Sequence, residues 1–181
     1  MIKTINSTDF KITEHDQVYD YQKDLTEKLD NLTSDFNQEI INEIVLWKVN
    51  RYASLSESTL KLLNRISTRD DSLNIGLTKE VLRSLINETG IRLPMASTIL
   101  KFKNSKIYQI IDQRVYRILY GKTLKTLSYK SESSINVQID LYLKYLIDLR
   151  KTADKLNIPF HFADRILFEA DRRINKNEKL L

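Results

Sequence analysis

Apolar residues recur every three or four positions along most of this chain, the spacing of helices that each bury one face. Over 13–32, Val18, Tyr21 or Gln22, Leu25 and Leu29 mark an acidic helix. Ser34 or Asp35 is placed to cap the next one. There Phe36, Ile40, Ile44 and Trp47 form one stripe, which Ile41, Val45 and Leu46 widen, so the pattern predicts a buried central helix. A third helix starts near 56–58 with Leu60, Leu63 and Ile66 inward, and TRDDSLNIGL (68–77) reads as a loop. Thr78 is placed to cap TKEVLRSLINE, Pro94 opens a helix through Ala96, Ile99, Leu100 and Phe102, and the NSK at 104–106 ends it. The segment KIYQIIDQRVYRILYG contains another helix, ending before Gly121. After a polar loop over roughly 121–135, a long helix carries Val137, Leu141, Tyr145, Leu149, Ala153 and Leu156 and stops at Asn157 to Pro159. A last helix presents Phe162, Ile166, Ala170 and Ile174.

Composition agrees with an all-α class. The 181 residues include only three glycines and two prolines, too few turn formers for a β fold. One compact multi-helix domain is expected over 13–175, between a flexible N-terminal tail (1–12) and a C-terminal tail (176–181). The absence of cysteine excludes disulfides, thiolate metal sites, iron–sulfur clusters and cysteine nucleophiles, and fits a reducing compartment. MIKTINSTDF lacks the apolar centre of a signal peptide and no apolar run approaches a membrane span, so a cytoplasmic protein without membrane contact is expected. His15 and His161 stand far apart and make neither a triad nor a metal site; no Gly-rich phosphate loop is present, and no cofactor is expected.

Charge changes the picture. Residues 1–40 hold four lysines against nine acids, whereas 89–130 hold nine basic residues against one acid, Asp112, a local net charge of +8. Such asymmetry marks a surface for a polyanion, with a solvated basic face as the plain alternative. Asp164-Arg165 and Asp171-Arg172-Arg173 read as helix-surface ion pairs. Tyr108, Tyr116 and Tyr120 fit either packing or a nucleic-acid face.

Within the basic stretch, TKEVLRSLINETGIRLPMASTILKF reads helix, tight hairpin, helix. Gly90 supplies a left-handed residue and Pro94 starts the second helix abruptly, its first N–H groups pointing out of the turn. Eighteen positions after Pro94, Asp112 opens the helix of Ile111-Asp112-Gln113-Arg114-Val115-Tyr116-Arg117. Here the sequence resembles the helix-hairpin-helix DNA glycosylase superfamily, the group that includes endonuclease III. The matching features are Gly90, the small pair Ala96-Ser97, Asp112 and the Val-x-Arg at 115–117. The resemblance implies duplex DNA as partner, gripped by Thr89, Gly90, Ile91, Arg92, Lys101, Lys103 and Arg114. It also implies Asp112 as the carboxylate that stabilises positive charge on the sugar while a flipped base departs. LWKVNRY adds Trp47, Lys48, Asn50, Arg51 and Tyr52 as a base pocket, with core packing as the alternative for Trp47.

The chain also departs from that pattern. Pro94 occupies the position of the family's Schiff-base lysine, which argues against lyase chemistry; Arg92 replaces the second hairpin glycine, and Arg114 a histidine. Three expectations therefore stand: a monofunctional base-excision glycosylase, a helix-hairpin-helix DNA-binding protein without catalysis, or a helical protein-interaction module.

Overall fold

Five side chains fix where helices begin. Asn37, Ser56, Asn74, Asp112 and Ser131 each accept a hydrogen bond from the backbone N–H three residues on, satisfying a donor that the first helical turn leaves free. The computed structural model describes residues 13, 22–49, 53–125 and 131–178, and no strand occurs among them. In chain order the helices are α1 (Lys23–Asp30), α2 (Gln38–Lys48), α3 (Glu57–Leu63), α4 (Ile75–Asn87), α5 (Leu93–Lys103), α6 (Gln113–Tyr120), α7 (Glu132–Leu156) and α8 (Ala163–Ile174), the last preceded by a 3-10 turn at Phe160–Phe162.

Three of these caps move the expected boundaries. Asn37, not Ser34 or Asp35, starts α2. Asn74 starts α4 inside the stretch taken for a loop, and Thr78 is instead buried in that helix, its hydroxyl donating to the Asn74 carbonyl. Ser131 starts α7 four residues before the expected end of the loop. In each case a polar side chain with a local backbone bond outweighs the loop-like composition around it.

The chain divides into two compact units, residues 1–52 and 53–181. In the first unit α1 and α2 are joined by the Trp47 indole N–H on the Thr26 hydroxyl (2.8 Å), the Gln22 amide on the Trp47 carbonyl (3.0 Å) and a Lys28–Glu43 ion pair (2.6 Å). Leu25 and Ile40 are buried, but Phe36, Ile41, Val45 and Leu46 are exposed, so α2 is not a buried central helix. Its wide apolar stripe records hydrophobic content, and among the described residues of this unit α1 is the one helix beside it.

In the second unit the apolar core runs through α3 to α8, with Leu82, Leu85, Ile91, Leu100, Ile111, Tyr142 and Leu149 out of solvent. Burying each such side chain stabilises the fold by about 1.5–3 kcal/mol. The 25-residue α7 is the central helix here, burying Ile135, Ile139, Tyr142, Tyr145, Leu146, Leu149 and Ala153 along its length, while Val137 and Leu156 face solvent. Helix α8 buries a different face from the expected one. Phe162, Ile166 and Ile174 are exposed, and the inward positions are Ala163, Asp164, Leu167 and Asp171. In α3, likewise, Leu60 is exposed while Thr59 and Leu63 are inside.

After one backbone turn, in which the Tyr108 N–H donates to the Asn104 carbonyl (3.0 Å), the chain from Gln109 to Ile111 crosses the core outside any helix, and its backbone groups find partners in side chains. The Ser97 hydroxyl of α5 accepts from the Ile111 N–H (3.1 Å), and the Asp164 carboxylate of α8 accepts from the Ile110 N–H (3.1 Å). From α7, the Tyr142 hydroxyl donates to the Gln109 carbonyl (2.9 Å) and the Tyr145 hydroxyl to the Ile110 carbonyl (2.6 Å). Burial raises both phenols well above their ordinary range, so both stay protonated donors. Tyr145→Phe strands the Ile110 carbonyl in a dry site, and should lower stability by about 1–3 kcal/mol in urea unfolding with no change in helix content at neutral pH.

Candidate functional site

A five-residue turn, 88–92, joins α4 to α5. Gly90 sits in it at φ +80°, and a Cβ there meets nothing within 4 Å, so the requirement for glycine lies in backbone conformation alone. Ile91 and Leu93 anchor the turn in the core, leaving Thr89 and Gly90 exposed. On its other side, Glu88 accepts from the Ser56 N–H (3.1 Å) and from the Ser56 and Thr59 hydroxyls. These bonds, the Ser56 hydroxyl first, hold the Glu88 carboxyl below its usual range and tie the turn to the start of α3. Pro94 lies in the first turn of α5, and no side chain caps that helix. Arg92, half-buried, donates to the Ile91 carbonyl (3.2 Å).

Other cations of the basic stretch are placed differently from what a linear count implies. Lys101 is 3% exposed; its ammonium donates to Gln109 (2.8 Å) and to the His161 carbonyl and lies 3.4 Å from Asp164. It is a core residue, which corrects its expected place on a phosphate. Desolvation lowers its pKa, and the Asp164 charge works against that shift. Lys103 donates to Asn64 (2.9 Å) at the surface, and Lys106 pairs with Asp71 (2.9 Å). Arg114 and Arg117 share the fully buried Asp171, at 3.3 and 2.6 Å. Hydrogen bonds to Arg117 above all keep the Asp171 carboxyl below its ordinary pKa. Four of the nine cations thus meet three carboxylates from outside the segment.

Asp164 and Asp171 are therefore not surface pairs but buried anchors, 2% and 0% exposed. Sequence gave one usable signal for them: they lie seven residues apart with Leu167 between, on one helical face. Tyr108 is also inside, its hydroxyl 2.8 Å from that of Thr78.

Asp112 is the N-cap of α6. Its Oδ1 accepts from the Val115 N–H (2.8 Å), the plainest role for an aspartate at a helix start. The residue is half-buried, and burial raises its carboxyl pKa against the opposing bonds from Val115 and Arg114, with the Asp164 charge adding to the rise. Of the expected base pocket, Trp47 and Lys48 belong to the first unit, Trp47 half-buried on Thr26 and Lys48 exposed. Asn50, Arg51 and Tyr52 lie outside the described residues.

Comparison of the chain with protein-family models, curated proteins and solved structures finds no match. Among the described residues no group of three or more His, Asp or Glu is placed to hold a metal ion, and no helix is long and apolar enough to cross a membrane.

The two roles of Asp112 separate by substitution. A raised carboxyl means the folded chain holds that proton more tightly than the unfolded chain, so the ionised group costs stability at neutral pH, a cost that fades as pH falls through the raised value. Asp112→Asn keeps the cap and removes the charge, and should hold stability within about 0.5 kcal/mol; Asp112→Ala loses the cap and should cost about 1 kcal/mol by thermal or urea unfolding at pH 7.

Proposed function

We propose that this protein binds duplex DNA through the turn at 89–92 and the start of α5, without catalysis. The observation that carries the proposal is the turn itself. Gly90 at φ +80° brings the chain sharply into an α5 whose N-terminus has no side-chain cap, while Ile91 and Leu93 hold it rigid from beneath. Backbone N–H groups at such a terminus take a phosphate without a particular side chain, and Arg92 lies at the same point. The likeness of this segment to the helix-hairpin-helix superfamily supports the same partner. With Lys101 withdrawn into the core, the contact reduces to backbone donors with Thr89, Arg92 and the surface Lys103.

A base-excision role for Asp112 is the second reading, favoured by a half-buried carboxylate on the connector that follows the turn. Its cap bond to Val115 occupies one oxygen, and catalysis would fall to the other.

One experiment addresses both. Wild type and Thr89→Glu are titrated against duplex DNA from 50 to 200 mM salt, by fluorescence anisotropy. The added anion faces solvent beside the α5 N-terminus and should weaken binding about tenfold with stability unchanged, because it repels the phosphate that the turn attracts. Equal affinity of the two, or no binding by wild type at 50 mM salt, defeats the DNA-binding proposal. A panel of damaged-base duplexes decides the second reading: base release by wild type and none by Asp112→Asn would establish it, and no release by either leaves Asp112 as a cap.

A further inference from the structure

Where α6 meets α8, the C-terminal turn of α8 and the residues after it close a cleft of about 360 Å³ lined by Arg114, Arg172, Arg173, Lys176, Glu169 and Glu178. We infer that this cleft is an anion site that takes a phosphate group, with Arg114, Arg173 and Lys176 as its donors.

The cleft is built from beneath. Asp171, fully buried, accepts from Arg117 and Arg114 and from the Asn175 amide (2.7 Å), so one carboxylate orients two guanidiniums and leaves an excess positive charge above itself. Arg114 is held a second time, with its guanidinium carbon 5.6 Å from the centre of the Phe168 ring. About a quarter of its side chain stays open, at 28% exposure, on the cleft side of the Asp171 contact. A guanidinium that spends part of its fork on one carboxylate keeps further N–H donors for a second oxyanion.

The rest of the lining sets the balance. Arg172 is engaged by Glu169, at 3.0 and 3.2 Å, so these two cancel and form one wall. Arg173 and Lys176 are exposed and share the lining with Glu178, whose carbonyl accepts from Arg117 (3.3 Å). The end of α8 adds about half a negative charge, which favours these cations near it and is outweighed by them. Arg114 serves the buried Asp171 and opens onto the cleft, whereas Arg173 and Lys176 line it with no ion pair among the described residues, and an anion bound there accounts for their placement better than folding stability does. A tetrahedral oxyanion offers acceptors in several directions at once, as a fork from Arg114 and point charges from Arg173 and Lys176 require. This site does not depend on the turn at 89–92.

The test uses the full chain and inorganic pyrophosphate as probe, followed by amide and arginine side-chain NMR at low salt. Saturable shifts centred on Arg114, Arg173 and Lys176 are expected, with the dissociation constant rising about tenfold for each donor removed in Arg173→Gln and Lys176→Gln. No shifts, or weak shifts spread over all surface cations, would overturn the site. Duplex titrations of the double variant then identify the source of the phosphate. A fall in the salt slope of about 0.9 per contact assigns it to a nucleic-acid backbone. An unchanged slope in the double variant, alongside pyrophosphate binding that wild type shows and the double variant loses, assigns it to a free phosphate compound, and the cleft stands even if the turn binds no DNA.

Discussion

A short run of non-helical backbone, Gln109 to Ile111, crosses the core of the second unit, and four side chains from three helices satisfy it there. Unpaired, those two N–H and two carbonyl groups would each cost about 1–3 kcal/mol, comparable to the burial of a leucine. The clamp therefore dictates geometry as well as stability. Ser97 fixes how α5 lies against the connector, Asp164 fixes α8, and the tyrosine pair fixes α7. Because Ser97 is one turn beyond Pro94 and Ile111 directly precedes Asp112, the same bond relates the start of α5 to the start of α6. The interior constraint thus links the start of α5 to Asp112, in addition to the anchors that the turn itself provides through Glu88, Ile91 and Leu93.

Charge is organised around the same frame. Asp164 serves the connector and Lys101 together, and Asp171 collects two arginines from α6. Buried ions need such partners, since an unpaired one costs several kcal/mol. The basic stretch is in consequence less electropositive in space than along the chain. On the surface its cations are scattered, with Lys122 and Lys125 exposed after α6 and Arg114 opening onto the cleft beside the end of α8. No continuous basic face results from this distribution among the described residues.

Among the described residues the order of the helices was legible from periodicity, as were the start of α5 at Pro94, the left-handed Gly90 and the opening of α6 at Asp112. What escaped had a common cause. Polar residues hold inward positions: Thr59 in α3, Thr78 in α4, Lys101 in α5, and Asp164 and Asp171 in α8. A hydrophobic count scores each as a surface residue, and so shifts the apparent inner face of α8 onto Phe162, Ile166 and Ile174, which face solvent. The opposite error occurred in α2, where apolar residues outnumber what its partner helix covers. For the site, the turn could be read because glycine and proline carry backbone meaning, whereas the burial of Lys101 depended on an aspartate 63 residues away.

Native-state hydrogen exchange at the Ile110 and Ile111 amides tests the role of the connector most directly. If the clamp organises the second unit, both amides exchange only through global unfolding, with the same free energy and denaturant dependence as the core of α7. Exchange of either one by a local opening, well below the global free energy and insensitive to denaturant, would contradict it.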